Sequence, residues 1–227
     1  MRATEERAGS LNLKAGRLCL EFANTADWHA SDRPQESLTS YSELVAWSRR
    51  VSTLTDRDAE HLLQQAARHP LDAAAVLEQA IALREAIYHL FSAAAHGLPT
   101  APTDLTILNA ALAQAMARSK LIPANGTFAW DWGDDDALDH MLWPVVWSAA
   151  TLLTSQELRR VGECADGRGC GYLFLDKSRN RSRRWCDMKD CGNRAKARRF
   201  YQRRQTTVQK AAPGDQIPFS QPKEKRR

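Results

Sequence analysis

The chain has 227 residues, of which 43% are hydrophobic, and its formal net charge is +5. This length suits one large domain or one domain with a small module, and the apolar content is sufficient for a core. The sequence shows no apolar run as long as the core of a signal peptide or a bilayer span, which predicts a cytoplasmic protein with no membrane partner.

The charge is distributed unevenly along the chain. Residues 1–158 carry 12 Lys and Arg against 20 Asp and Glu, whereas residues 159–210 carry 16 against 5. An acidic body joined to a basic segment indicates a polyanionic partner for the basic end. A solvated basic surface is the alternative, and the cysteines within the same segment favour a binding site.

The first half of the body is predicted from its apolar periodicity. Residues 18–23 alternate apolar and mixed side chains and predict a strand. Apolar residues at three- and four-residue spacing predict helices over 40–50, from Thr55 to before Pro70, and over 72–96.

The second half of the body combines helices with one hairpin. A helix is expected over 103–119, and Asn125-Gly126 favours a tight turn between strands at 120–124 and 127–132. The acidic run 134–136 suits the N-terminus of a last helix that ends near residue 160. Pro144 should kink that helix or mark its true start.

Four cysteines form the pattern C-x5-C-x15-C-x4-C: Cys164, Cys170, Cys186 and Cys191. In a reducing compartment, clustered cysteines are more often metal ligands than disulfides. Two pairs can supply a tetrahedral thiolate set for zinc, and four thiolates leave no open position for water or substrate. No histidine follows His140, so the side chain that zinc nucleases of similar architecture need is missing. The pattern therefore predicts one structural Zn²⁺ and no enzymatic activity.

The segment between the cysteine pairs predicts a β-hairpin. Residues 172–175 are strand-like, residues 177–182 are turn-like, and residues 183–185 lead back to the third cysteine. A hairpin of this size buries too little surface to fold alone, so a bound metal should supply the missing stability.

A basic helix is expected from about residue 190. One arc of that helix should pack on the hairpin, and it contains Asn193, Ala197, Phe200 and Tyr201. We favour a structural role for Asn193 and for Trp185 rather than base recognition. The basic side chains of the hairpin and of both helix flanks are expected to bind phosphate: Arg183, Arg184, Arg194, Lys196, Arg198, Arg199 and Arg203.

At these residues the sequence resembles a known family. Residues 191–194 spell CGNR and, with the other cysteines, residues 174–176, Arg183-Arg184-Trp185 and the basic helix, resemble the CGNR zinc finger. Residues 18–25 resemble the opening strand of the ABATE domain, the usual partner of that finger. The resemblance covers nearly the whole chain. It implies zinc and nucleic-acid binding in proteins described as bacterial stress-induced transcription regulators.

The expected fold is α+β and mostly α, with a helical body, a small antiparallel sheet and a treble-clef-like finger of one β-hairpin and one helix. The predicted divisions are an ABATE-like body over 1–160, a CGNR-type finger over 161–205 and a disordered basic tail over 206–227. Only residues 161–163 separate the body from Cys164, and so short a linker should transmit a rotation to the finger.

Three functions remain open at this point. The chain is a DNA-binding regulator, an RNA- or ribosome-associated factor, or a small-molecule-binding or enzymatic body with an auxiliary finger. The body lacks a phosphate loop, a dinucleotide-binding motif and an evident catalytic triad. One hypothesis gives it an aromatic pocket for a small-molecule effector, lined by Asn24, Thr25, Trp28, Trp143 and Trp147, although core packing is the default for the last two. No heptad seam indicates an oligomeric state.

Overall fold

The structure, a computed structural model, describes residues 13–124, 126–132 and 136–210, with side chains up to residue 203. Predictions for Asn125, for the acidic residues Asp134 and Asp135, and for the tail over 211–227 lie outside the described residues. None of the helices in the described part has both the length and the apolar character that a membrane crossing requires.

The described residues form seven α-helices and three two-stranded antiparallel sheets. The helices are α1 Leu18–Ala23, α2 Tyr41–Arg50, α3 Asp56–Arg68, α4 Pro70–His96, α5 Pro102–Arg118, α6 Trp143–Leu153 and α7 Asn193–Lys210. The paired strands are β1 Ala26–Asp27 with β2 Gln35–Glu36, β3 Lys120–Ala124 with β4 Thr127–Asp131, and β5 Val161–Glu163 with β6 Leu173–Leu175. The predicted class, mostly helical α+β, is confirmed.

One hydrophobic core is organised around the long helix α4. Its buried side chains Leu83, Ile87 and Phe91 belong to the same apolar cluster as residues of α1, α2, α3, α5 and α6. The same cluster includes Val161, Leu173 and Leu175 from the β5–β6 hairpin. The core therefore continues beyond residue 160, and the predicted division of the chain at that position stays a prediction.

Local sequence signals set several element boundaries as predicted. The Ser40 hydroxyl accepts a hydrogen bond from the Glu43 amide at the start of α2, and Thr55 forms a reciprocal capping box with Asp58 at the start of α3. Gly97 ends α4 in the left-handed conformation that glycine adopts at little cost. These side chains satisfy backbone groups that a helix end leaves unpaired.

The segment Leu18–Ala23 is a helix, and the predicted strand is wrong. Five of its six residues are buried, and it packs between α4, α6 and β6. A short apolar run of this kind fits a buried strand and a buried helix equally well, because neither shows a solvent-facing side. The Cys19 amide donates to the Ser148 hydroxyl of α6, which helps to fix the helical register.

Two predicted boundaries also need correction. The last body helix covers only Trp143–Leu153 and is followed by a short 3₁₀ turn over Gln156–Arg160. Pro144 lies in the first turn of α6 and marks its start, while Asp136 lies outside the helix with its carboxylate 2.8 Å from His61 Nε2. Helix α7 runs to Lys210, so the first residues of the predicted tail are helical.

The hairpin of the finger is built from different residues than predicted. Strand β6 pairs with β5, in a register that places Val161 opposite Leu175 and Glu163 opposite Leu173. The three residues expected to be a linker are thus one strand of the hairpin. The predicted return strand over 183–185 is wrong, since the buried Asp176 carboxylate accepts the amides of Ser178 and Arg183 and closes this segment as a loop.

Candidate metal centre and basic surface

The sulfur atoms of Cys164, Cys170, Cys186 and Cys191 converge on one point. All four lie within 4.8 Å of one another, and two separations are 3.8 Å for Cys170 to Cys186 and 3.5 Å for Cys186 to Cys191. A tetrahedron with Zn–S bonds of about 2.3 Å has sulfur–sulfur edges of about 3.8 Å. The four thiols therefore fit one structural zinc ion, as predicted.

Backbone hydrogen bonds hold the cysteines in this arrangement. The Cys164 amide donates to the Tyr172 carbonyl at 3.0 Å, which keeps the first ligand beside the strand that follows Cys170. The chain over Met188–Gly192 forms a single wide helical turn that carries Cys191. The Asp187 carboxylate caps that turn by accepting the Lys189 amide at 2.7 Å. Local structure thus positions both cysteine pairs.

The electrostatics of the cluster favour a bound dication. Hydrogen bonds from Cys170 and Cys186 lower the pKa of the Cys164 thiol to about 2, whereas hydrogen bonds with Cys164 and Cys170 raise the pKa of Cys186. Burial raises the pKa of Cys191 to about 12. Four close thiols cannot all ionise without a counter-charge, and Zn²⁺ supplies one. Arg194 Nη2 donates to Cys191 Sγ at 2.8 Å and adds further positive charge.

A buried carboxylate organises the arginines next to the cluster. The Asp166 side chain is fully buried and is in contact with Arg168 at 3.2 Å, Arg194 at 3.3 Å and Arg198 at 2.5 Å. Burial alone would raise the pKa of Asp166, but hydrogen bonds from these guanidinium groups hold the pKa well below its ordinary range. Arg194 and Arg198 therefore face the first cysteine loop.

Trp28 of the body contacts two of these arginines. The guanidinium carbon of Arg168 lies 5.1 Å from the Trp28 ring centroid, and that of Arg194 lies 5.4 Å from it. Both distances suit cation–π contacts. Trp28 itself has a φ of 55°, a left-handed conformation that costs a non-glycine residue about 1 kcal/mol or more. The finger thus stabilises a strained position in the body.

Two further contacts join the finger to the body. The Asn24 side-chain amide donates to the Leu173 carbonyl at 2.9 Å, and its oxygen accepts the Leu173 amide at 2.8 Å. The Glu163 carboxylate, next to Cys164, accepts the Ser92 hydroxyl at 2.6 Å and lies 3.2 Å from His96 Nε2. The finger is therefore docked by specific polar contacts as well as by the shared core.

We expect the Asp166→Asn substitution to lower the free energy of unfolding by about 2 kcal/mol. The amide cannot compensate three guanidinium groups, and the loss is moderated because each arginine keeps some contact with water. Chemical denaturation of the zinc-loaded chain measures the change. Asp56→Asn is a matched control, because Asp56 also pairs with an arginine but is 81% exposed, and a surface pair contributes about 0.5 kcal/mol. Equal effects of the two substitutions would contradict the role given to Asp166.

The seven predicted phosphate-binding residues fall into two groups. Arg194 and Arg198 point inward as described, and Arg183 donates to the carbonyls of Trp185 and Cys186 while covering the Phe174 ring at 4.2 Å. The side chains of the other four are exposed: Arg184, Lys196, Arg199 and Arg203.

The Trp185 ring contacts one arginine from the loop between the cysteine pairs and one from helix α7. Arg184 lies 5.4 Å from the Trp185 ring centroid, and Arg199 lies 6.0 Å from it. Trp185 itself is partly buried against the cysteine cluster, in keeping with the structural role expected for it. The side of the finger that carries Arg184, Trp185, Lys196 and Arg199 is called the outward face below.

The predicted packing of the apolar helix arc is wrong. Phe200 is 57% exposed and Tyr201 is 64% exposed, so neither ring is buried on the hairpin. Asn193 is exposed too, and its side chain donates to the Lys189 carbonyl at 3.0 Å. The inner side of α7 is occupied instead by the arginines that compensate Asp166. A helical wheel assigns apolar side chains to the buried side of a helix. It cannot show that the facing loop carries a buried carboxylate, Asp166, which pairs with arginines instead.

The sequence prediction missed three basic residues on the loop between the cysteine pairs. Lys177, Arg179 and Arg181 are exposed on a loop whose base is closed by Asp176. The Arg160 guanidinium also donates to carbonyls of this loop. The basic residues within 177–182 were the available signal, but that segment was predicted only as a turn.

The five predicted pocket residues have structural partners in two different places. Asn24 and Trp28 contact the finger, and the Thr25 hydroxyl donates to the Phe22 carbonyl. Trp147 lies against Trp130 of strand β4, and Trp143 lies against Trp132, which directly follows that strand. A shared pocket for these residues stays a prediction.

A different cleft lies beside the strand β1–β2 pair, with a volume of about 510 Å³. Buried Arg84 lines this cleft and forms ion pairs with two other lining residues, Glu36 at 2.6 Å and Glu85 at 2.8 Å. His29 stacks on Tyr88 with ring centroids 3.5 Å apart and lies 3.0 Å from Glu85. Burial opposes ionisation of Glu85, yet hydrogen bonds from His29 and Arg84 lower its pKa to about 2.

Together the fold and the site define a protein with a helical body and a C-terminal four-cysteine zinc finger. Residues 16–156 match the family model ABATE, described as "putative stress-induced transcription regulator", and residues 160–204 match the CGNR zinc finger. The first match covers more than half of the chain, and this chain belongs to the ABATE family. No curated protein matches it.

Proposed function

We propose that this protein is a zinc-dependent DNA-binding transcription regulator whose finger grips the phosphate backbone with its outward face. The observation that supports this proposal most directly is the exposure of Arg184, Lys196 and Arg199, the first and last of them beside Trp185, while neighbouring arginines are held inside by Asp166. The family description as a transcription regulator points to the same class of partner.

The distribution of charge supports binding to a polyanion. Residues 159–210 carry 16 Lys and Arg against 5 Asp and Glu. Asp166 engages the guanidinium groups of Arg194 and Arg198, so the basic side chains left exposed to a partner lie on the outward face and on the loop over 177–184. Arginine suits this role because its planar guanidinium can hold a phosphate through two hydrogen bonds.

The loop over 177–184 offers a preorganised second set of phosphate contacts. Asp176 accepts two loop amides, and the Ser178 hydroxyl accepts the Ser182 amide at 3.0 Å. A loop that is already ordered loses less conformational entropy when it binds. Its Lys177, Arg179 and Arg181 side chains extend the basic surface beyond α7.

The proposal predicts a steep dependence of DNA affinity on salt. Replacing Arg184, Lys196 and Arg199 together by Gln should weaken binding and flatten the slope of log K against log salt by about 0.9 for each phosphate that the variant no longer neutralises. Fluorescence anisotropy with a duplex of mixed sequence, at several salt concentrations, measures both quantities. Zinc content should stay at one ion per chain.

Arg198→Gln is the matched control, because Arg198 lies on the same helix but faces Asp166. It should lower stability and leave the salt slope nearly unchanged. If the triple variant keeps the affinity and slope of the parent, the DNA contact lies elsewhere. If structured RNA binds more tightly than duplex DNA under the same conditions, the RNA-associated alternative is correct.

We also propose that the body senses a small molecule in the cleft beside Arg84. Support comes from the loop that follows β1, which lines the cleft with His29 and packs under the finger with Ala30 and Ser31. Gly169 and Gly171 of the finger lie directly against Ala30 and Ser31. A ligand that moves this loop would therefore also displace the first cysteine loop, because the two loops are in direct contact.

A further inference from the structure

Helix α7 carries an exposed pair of aromatic side chains. Phe200 and Tyr201 are 57% and 64% exposed, and their ring centroids lie 5.8 Å apart at an interplanar angle of 73°. At this angle the two rings are not stacked on each other. They follow directly after Arg199 in a helix whose exposed residues include Lys196 and Arg203.

The surroundings of the pair indicate the chemistry of its partner. An apolar protein surface would have to desolvate the neighbouring cations, which is costly without opposite charges. A nucleic acid strand offers phosphates for the cations and flat base faces for the rings. Basic grooves with interleaved aromatic side chains are the usual means of holding unpaired bases.

We propose that Phe200 and Tyr201 stack on unpaired bases, so that the finger prefers single-stranded or locally unwound DNA over a fully paired duplex. This inference rests on the proposed DNA-binding function and names the form of DNA that the finger selects. In a paired duplex the base faces are covered by their neighbours, so the rings would gain little there. Phosphate contacts alone do not distinguish the two forms in this way.

The test measures the affinity of the zinc-loaded full-length protein for three labelled DNAs. The DNAs have the same length and are compared at the same salt concentration. They are a paired duplex, the same duplex with a short central mismatch bubble, and one of its single strands. The parent protein should bind the bubble at least about fivefold more tightly than the duplex. The double substitution Phe200→Ala and Tyr201→Ala should reduce this ratio to near one while the salt slope on duplex DNA stays the same.

Two controls sharpen the comparison. Tyr201→Phe keeps an aromatic ring and should keep the preference for the bubble. Phe128→Ala removes a phenylalanine that is even more exposed, 69% on strand β4 of the body, and should change nothing. Each substitution is at the surface, so the variants should fold as the parent does, which far-UV circular dichroism verifies.

Several results would overturn the inference. The first is equal affinity of the parent for bubble and duplex, and the second is a bubble preference that the double alanine variant retains. The third is a parent that is dimeric by light scattering and becomes monomeric in the double variant, since the pair would then be a self-association surface. A preference for single-stranded RNA over the DNA bubble would also reject it. None of these results depends on the salt slope of the Arg184, Lys196 and Arg199 variant, which tests the proposed function separately.

Discussion

Removal of zinc should destabilise the whole chain and not the finger alone. We expect chelation, or the Cys191→Ser substitution, to lower the free energy of unfolding by more than about 4 kcal/mol, because the binding energy of a structural zinc becomes folding energy. The effect should reach the body because the β5–β6 hairpin contributes Val161, Leu173 and Leu175 to the body's own core. The thermal transition followed by far-UV circular dichroism should shift as one step.

The fifth cysteine provides the control for this experiment. Cys19 is fully buried in α1, remote in sequence from the cluster, and burial raises its pKa to about 12, so it remains a neutral thiol. Cys19→Ala should retain one zinc ion by elemental analysis and cost about 1 kcal/mol because a buried sulfur atom is removed. If chelation leaves the main transition in place and melts only a small separate unit, the finger folds independently and the division near residue 160 holds.

The second large effect is expected at a single glycine of the first cysteine loop. A Cβ atom on Gly169 would lie 2.6 Å from Ser31 Cα and 2.7 Å from the Ala30 carbonyl oxygen, and the φ of Gly169 is +88°. Gly169→Ala should therefore cost about 3 kcal/mol, from the left-handed backbone and from the clash with backbone atoms that cannot move aside. Chemical denaturation of the zinc-loaded protein measures this cost.

Gly167 lies two residues earlier in the same loop and makes a close control. A Cβ atom there would meet only Arg198 Nη1, at 3.5 Å, which is an ordinary contact. Gly167→Ala should thus change stability by less than about 1 kcal/mol. If Gly169→Ala is equally mild, the finger does not press on the loop after β1, and the proposed route from the cleft to the finger loses its support.

The parts of the structure that sequence predicted are those encoded by local chemistry. The cysteine spacing indicated the zinc ligands because thiolates have few other uses in such a cluster. Apolar spacing indicated the helices that begin after Ser40 and Thr55, whose hydroxyl groups cap free amides in the structure, and Asn125-Gly126 indicated the hairpin between β3 and β4.

The parts that sequence missed depend on contacts between distant segments. Five of the six residues over 18–23 are apolar and show no clear helical period, so their packing against α6 and β6 decides that they form a helix. The orientation of α7 depends on Asp166, a carboxylate 28 residues before Arg194. The helical periodicity of α7 carries no information about a partner so far away in the sequence. The prediction therefore did not distinguish the arginines that face Asp166 from those that are exposed.

The contact of Trp28 with Arg168 and Arg194 limits how freely this finger can be exchanged between proteins. A chimera that joins the finger to a foreign body at residue 160 would lack the indole that contacts both guanidinium groups and the two hydrogen bonds between Asn24 and Leu173. The metal-binding segment and the loop beneath it must therefore be inherited as a unit, and substitutions on one side should be accompanied by compensating changes on the other.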